Sequence, residues 1–146
     1  MWVVVAGITF RWRTIRLYEN SWLWIPAVAL FTAGFWLYSR SSKDFSARQL
    51  GGTPEIVAGQ RDQRLVTTGI RAHVRHPVYL AHLCEMLAWS LGTGLAVCYG
   101  LTLFAVTSGA AMIRMEDAEL EKRFGEDYRQ YRARVPAVLP RLDVRQ

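Results

Sequence analysis

Between Pro77 and Ile113 the chain reads PVYLAHLCEMLAWSLGTGLAVCYGLTLFAVTSGAAMI, 37 residues with one acidic side chain, Glu85, and no Lys or Arg. A single helix of that length would measure about 55 Å, well beyond the roughly 30 Å of a bilayer's hydrocarbon core. Gly92-Thr93-Gly94 divides the run, and such a cluster punctuates a helix. The stretch therefore reads as a helical hairpin, about Pro77 to Leu91 and then about Leu95 to Ile113, with both ends on one side of a membrane. Pro77 suits a first helical turn, where its missing N–H costs least.

Working outward, a second uncharged stretch runs from Asn20 to Ser39, 20 residues without Asp, Glu, Lys or Arg. It predicts a membrane span over about Trp22 to Tyr38, with Trp22, Trp24, Trp36 and Tyr38 at its two ends as interfacial aromatics. Pro26 lies in its first turns, where proline is tolerated. Met1 to Phe10 is apolar, without a leading basic residue or a small-residue cleavage site, and reads as a partial span rather than a signal peptide. The whole chain of 146 residues is one domain. The expected fold is all-α, an integral-membrane helical bundle with a C-terminal amphipathic cytosolic helix and no Rossmann domain.

Composition alone conceals this. Apolar residues at 51% and charged residues at 21% resemble a soluble protein, but the charges are segregated between the apolar runs. The balance excludes intrinsic disorder, a collagen-like chain and a disulfide scaffold. Cys84 and Cys98 both lie inside apolar stretches, without CxxC spacing, and read as small buried side chains. The net charge of +6 flanks the apolar runs, which favours a membrane surface over nucleic acid as partner.

The loop from Arg40 to His76 carries seven basic and three acidic residues, and the tail from Arg114 to Gln146 eight and seven. The topology puts both on one face. The positive-inside rule makes that face cytoplasmic, with Arg11, Arg13 and Arg16 on the other side counting against it. In the tail, Leu120, Phe124, Tyr128, Tyr131 and Val135 recur at helical spacing. Gly125 weakens that helix and Pro136 ends it.

Three groups of residues invite a chemical reading. Arg75 and His76 immediately precede a helix start, where free N–H groups and the dipole favour anions. Spacing alone leaves that anion site level with a plain positive-inside anchor. Glu116 and Asp117, with Arg114, Glu119 and Glu121, end the last apolar run. They could hold a cationic or polyhydroxyl ligand, although a solvated helix end is the simpler account. His82 and Glu85, three residues apart, form an ionisable pair at membrane depth, with Trp89 one turn on. His73, His76, His82 and Glu85 match no zinc or haem ligand spacing, so no metal is expected. No GxGxxG, Walker A, GxSxG or HExxH motif occurs.

Taken together, LVTTG (Leu65–Gly69), VRHPVY (Val74–Tyr79), a hairpin, the acidic pair Glu116-Asp117, FGEDYRQY (Phe124–Tyr131) and VPAVLP (Val135–Pro140) resemble the isoprenylcysteine carboxyl methyltransferase family. Its more distant phospholipid methyltransferase relatives share the pattern. The resemblance covers Leu65 to Pro140, about half the chain. It implies S-adenosylmethionine as methyl donor, bound within residues 65–140 at the cytosolic membrane edge, and a lipophilic or lipidated acceptor. It implies that His76, Pro77 and Tyr79 line the cofactor, with Leu65 and Val66 at its adenosine side and Glu116 in contact with it. Arg75, His76 and Arg114 are the candidate catalytic residues. Arg114 is the base nearest the place of an acceptor-facing arginine, which Met112 occupies here. Arg71 stands where the family often has a cofactor-contacting Tyr, and the acidic pair is Glu-Asp rather than Glu-Glu. A phospholipid-amine or thiol methyltransferase is the rival enzyme. A membrane scaffold binding anionic lipid through Arg40, Lys43 and Arg48 is the rival from another class.

Overall fold

Asn20 caps the first helical element: its side-chain oxygen accepts the Trp22 N–H at 3.0 Å. A 3-10 turn, Ser21–Leu23, then leads into α1, Trp24–Lys43. The computed structural model describes residues 13–43 and 65–140, together with Gly7. Three more helices follow: α2, Pro77–Thr93; α3, Ala96–Phe124; and α4, Glu126–Arg134. A 3-10 turn over Gly69–Ala72 precedes α2. Among the described residues there is no strand, only an isolated bridge between Arg16 and Leu95, and so no sheet on which to build a Rossmann domain. Apart from Gly7, the partial span expected at residues 1–10 lies outside the described residues, as does most of the basic loop, Arg48 included.

Ser21–Ser42 and α3 are each long and apolar enough to cross a membrane. Only 11% and 6% of their apolar windows are buried within the chain, which sets them apart from the core helices of a soluble protein. Their outward faces carry Trp24, Val28 and Phe35 on α1, and Leu103, Phe104 and Met115 on α3, all exposed. Water disfavours such faces and lipid accepts them; this is a membrane protein. The remaining helix of the hairpin, α2, has 17 residues, about 26 Å at the helical rise. It is shorter than a hydrocarbon core, and its length alone does not mark it as the third span.

Helix α2 is the middle of the assembly. Against α1 it packs antiparallel at two glycines. A Cβ on Gly34 would stand 2.8 Å from the Ala81 carbonyl oxygen and 3.0 Å from Glu85 Cγ, and one on Gly92 would stand 2.8 Å from the Trp24 ring. Small residues allow backbones to approach where no hydrophobic effect drives association; Ala27, Ala81 and Ala88 on the same seam are buried. Against α3, the Ser90 and Thr102 hydroxyls meet at 3.0 Å.

The hairpin turn is held from outside. Gly94 takes a left-handed conformation, φ +65°, and a Cβ there would meet the Tyr18 carbonyl at 2.6 Å. Leu17 N–H donates to Gly94 O at 2.8 Å, and Ala96 N–H to Ile15 O at 3.0 Å. The Tyr18 hydroxyl reaches Leu91 O at 3.0 Å and Tyr99 Oη at 2.6 Å. The segment before α1 therefore ties down the far end of the hairpin.

At the near end, α3 continues well past Ile113, because nothing in Arg114–Phe124 interrupts a helix. The break comes at Gly125, φ +58°, and it divides the expected tail helix between the end of α3 and α4. The stripe predicted there faces inward: Tyr128, Tyr131 and Val135 form a buried core, with Leu65, Leu120 and Phe124 against it. The tail packs on its own chain.

The glycine seam yields a test. Gly34→Val should destabilise by about 1–3 kcal/mol through overpacking and lower the unfolding temperature in nanodiscs. Gly100→Ala, where an added Cβ meets nothing within 4 Å, should leave it unchanged.

Candidate functional site

Arg75 and His76 lie between the 3-10 turn and α2, and the C-terminal segment runs beside them. Arg75 N–H donates to Pro136 O and His76 N–H to Ala137 O, each at 2.9 Å. These two amides are thus occupied by the chain itself. The Arg75 side chain is also committed. Nε donates to Val135 O at 3.0 Å, and Nη1 donates to Asp117 Oδ1 at 2.7 Å and to Tyr128 Oη at 3.0 Å. Buried at 7% exposure, Arg75 fastens α2, α3 and α4 together.

Asp117, on α3, is the common partner. Its Oδ1 accepts from Arg75, lies 2.8 Å from His76 Nε2 and accepts the Tyr128 hydroxyl. The other ring nitrogen of His76, Nδ1, faces Glu116 Oε2 at 3.4 Å. A carboxylate at each nitrogen favours the imidazolium form, in which both nitrogens donate. Burial by itself would push the His76 pKa down, but Glu116 and Asp117 outweigh it and hold it above the ordinary histidine value. Burial opposes the charge on Arg75 too, and its hydrogen bonds to Asp117 and Tyr128 more than restore it. The Tyr128 hydroxyl, pushed up by burial and then by Asp117, stays neutral and donates. Two cations and two anions balance, the arrangement that makes burial of charge tolerable.

Tyr79 stands edge-on to the His76 ring, centroids 5.9 Å apart. Pro77 is buried at the first position of α2. Leu65 packs on the tyrosine core, and Val66 is half-buried. Arg71 supports the site from behind: its Nη1 donates to Arg75 O at 3.0 Å, and its own carbonyl accepts the Tyr131 hydroxyl at 2.6 Å. Arg114 is exposed on α3, and the cluster forms without it. Glu119 pairs with Arg123, and Glu121 with Arg129 and Arg132, as on a solvated helix. His73 is exposed. His82 Nδ1 and Glu85 Oε2 are 3.9 Å apart, separate from this cluster. Among the described residues no three His, Cys, Asp or Glu side chains converge as metal ligands.

In the sequence Glu116 and Asp117 stand together as an acidic pair, of which the resemblance singles out Glu116; the hub role of Asp117 and the part of Tyr128 emerge only in the structure. Successive helical residues point about 100° apart, so an adjacent pair at a packed border can place one acid inside and one at the rim. Here Asp117 is inside, and the Glu116 side chain is 44% exposed. Tyr128 belongs to the apolar stripe and to FGEDYRQY, and neither pattern tells that its hydroxyl donates to Asp117.

The chain is similar to known proteins over most of its length. The phospholipid methyltransferase family profile matches residues 22–127. Protein-S-isoprenylcysteine O-methyltransferase of Schizosaccharomyces pombe is 38% identical over 112 residues, 70% of this chain and 44% of that protein. The Mus musculus protein of the same name is 29% identical over 126 residues, 80% of this chain and 42% of its own length. The cobalt-zinc-cadmium resistance protein CzcN of Cupriavidus metallidurans is 36% identical over 89 residues, 60% of this chain and 41% of that protein. The chain thus spans less than half the length of each of these relatives.

The cluster predicts unequal costs for its two acids. Asp117→Asn leaves Arg75 and His76 buried without their carboxylate and should cost about 3–5 kcal/mol. Glu116→Gln, at the rim, should cost at most about 1 kcal/mol. Because the His76 pKa is raised on folding, its contribution is complete below about pH 6.5 and is lost as pH climbs through the raised value. Unfolding temperatures measured across pH should therefore fall on the alkaline side, and His76→Gln should flatten that limb.

Proposed function

The chain belongs to the phospholipid methyltransferase family, and on that premise we propose that it transfers a methyl group from S-adenosylmethionine to a lipophilic or lipidated acceptor. The observation that carries the reading is the His76–Glu116–Asp117 arrangement at the end of the hairpin, one carboxylate buried and the other presented at the rim. In the proposed topology α2 is a third crossing, and this end of the hairpin faces the cytoplasm.

The residues present suit the donor. Glu116 offers a half-exposed carboxylate, able to accept from hydroxyls or to balance a cation. Tyr79 supplies an aromatic edge beside it, and Pro77, Leu65 and Val66 an apolar border. When bound, S-adenosylmethionine would supply an electrophilic methyl group on a sulfonium. The protein's part is alignment. Asp117 fixes one side of the imidazolium, which fixes Glu116 on the other. Arg75 and Tyr128 hold Asp117, and the Val135–Ala137 strap holds the α2 start.

This geometry also bears on the acceptor. An imidazolium flanked by two carboxylates has no lone pair to spare, so His76 positions Glu116 rather than serving as a general base. A carboxylate acceptor needs no base. It agrees with the O-methyl transfer in the name of the S. pombe relative, and we take it as the leading acceptor chemistry. Arg114, exposed on α3, is the cation available to hold it.

The test is binding of radiolabelled S-adenosylmethionine to the protein in nanodiscs. Wild type should bind saturably. Glu116→Ala and His76→Ala should each weaken binding about tenfold or more, as removal of a charge-assisted contact does, with the helical spectrum retained. A well-folded wild type that binds no donor would overturn the reading.

A further inference from the structure

A second feature lies on the other side of α2. On α1, Trp24, Val28, Phe31, Phe35 and Tyr38 recur at spacings of 4, 3, 4 and 3; on α2, His82, Glu85 and Trp89 recur at 3 and 4. Each set is one helical stripe. The two stripes flank the antiparallel α1–α2 seam, because Tyr38 stacks on His82, centroids 6.1 Å apart and planes 16° apart, and Gly34 touches Glu85. Toward the hairpin turn the seam opens into a cavity of about 270 Å³, lined by Trp24, Ala27, Val28, Phe31, Ala88 and Trp89, with Thr32 at its edge. The Thr32 hydroxyl is turned back onto its own helix, bonding the Val28 and Ala29 carbonyls, so the lining is apolar. The seam thus offers a concave pocket at one end and an ionisable pair at the other.

We infer that this seam holds the hydrocarbon chain of the acceptor, its far end in the Trp24–Trp89 cavity and its polar end passing His82 and Glu85 toward the start of α2. The inference rests on the proposed methyl transfer and adds the face of the fold on which the acceptor lies. Three observations favour that occupant. The cavity lies along a seam flanked by lipid-exposed residues, Val28 at 61% and Trp89 at 54% exposure, so a chain can slide in sideways from the bilayer. From Ala88 and Trp89 to His76 the helical rise gives about 19 Å, somewhat more than the ~15 Å of one leaflet. A long chain spans that distance and a short one does not. Finally, His82 and Glu85 sit on the path at the level of Tyr38, an interfacial aromatic. A polar group travelling to the donor site needs a partner there, and an ionisable pair within a span is a functional position by default. The pair is loose at 3.9 Å, and the His82 side chain is 57% exposed, so both groups can turn to a ligand.

The experiment uses S-farnesylcysteine carrying a diazirine at the far end of its chain, with the protein in phosphatidylcholine nanodiscs. Cross-linked peptides are mapped by mass spectrometry, and radiolabelled S-adenosylmethionine binding is measured on the same samples. The expected result is saturable labelling of the peptides containing Trp24–Thr32 and Ala88–Trp89. Unlabelled S-farnesylcysteine should compete and a short-chain S-alkylcysteine should not. Val28→Trp and, separately, Thr32→Phe fill the cavity from exposed positions. They should reduce seam labelling at least severalfold while donor binding stays within about twofold of wild type. Glu85→Gln should weaken the probe more than the donor. Labelling of Leu103 and Phe104 as strong as that of the seam, or seam labelling that survives both fillers, would overturn the inference and leave the donor reading standing. Saturable seam labelling by a wild type that binds no donor would overturn the acceptor role together with the methyl-transfer reading.

Discussion

One oxygen organises the end of this molecule. Asp117 Oδ1 receives Arg75 from the α2 start, His76 from the residue beside it and Tyr128 from α4. A buried carboxylate without partners would be prohibitively costly. The three groups must therefore be present together, and the two cations must be matched by Glu116 as well as Asp117. This requirement brings residues from three helices to one point, and it makes the C-terminal segment part of the site. Arg75 is bound to the Val135–Ala137 strap by three hydrogen-bond donors of its own and its neighbour, so the loop before α2 cannot be placed without the tail.

The rest of the fold solves a different problem, which is how helices associate in lipid. The apolar driving force is weak there, and close packing substitutes for it. Gly34 and Gly92 let α1 approach α2 at backbone distance, and the Ser90–Thr102 contact joins α2 to α3. Both devices act on α2, the shortest of the three long helices, so the position of Pro77 and of the site above it is set by its neighbours. At the far end the Ile15–Tyr18 segment closes the hairpin turn on Gly94. The hairpin is thus held at both ends, by backbone hydrogen bonds at one and by an ionic cluster at the other.

This division explains why the polar groups are arranged as they are. The acids that meet water, Glu119 and Glu121, pair with arginines on the surface and contribute little to stability. The acid that meets protein is saturated with donors. Glu116 lies between these conditions: anchored by His76 on one side and exposed on the other, it is the carboxylate of the cluster that a ligand can reach. On the proposed reading, a charged donor from water and a greasy acceptor from lipid would meet at the end of the hairpin, beside this carboxylate.

Much of this was legible in the chain itself. Apolar runs with at most one charge, long enough to cross a hydrocarbon core, leave few structures other than membrane helices, because backbone groups must find partners within the segment. Gly92-Thr93-Gly94 marked the turn, and the tail's spacing marked one apolar stripe on a helix. Motif order pointed to Arg75, His76 and Glu116. The extent of α3 was not legible: its end depends on a glycine conformation at Gly125 rather than on where apolar residues stop. Nor could one-dimensional order tell which member of Glu116-Asp117 would be buried, or that the Tyr128 hydroxyl would join it. Periodicity reports which face a residue occupies. Which partner it meets there is decided only when helices distant in sequence are packed together, as Asp117 is with an arginine 42 positions away.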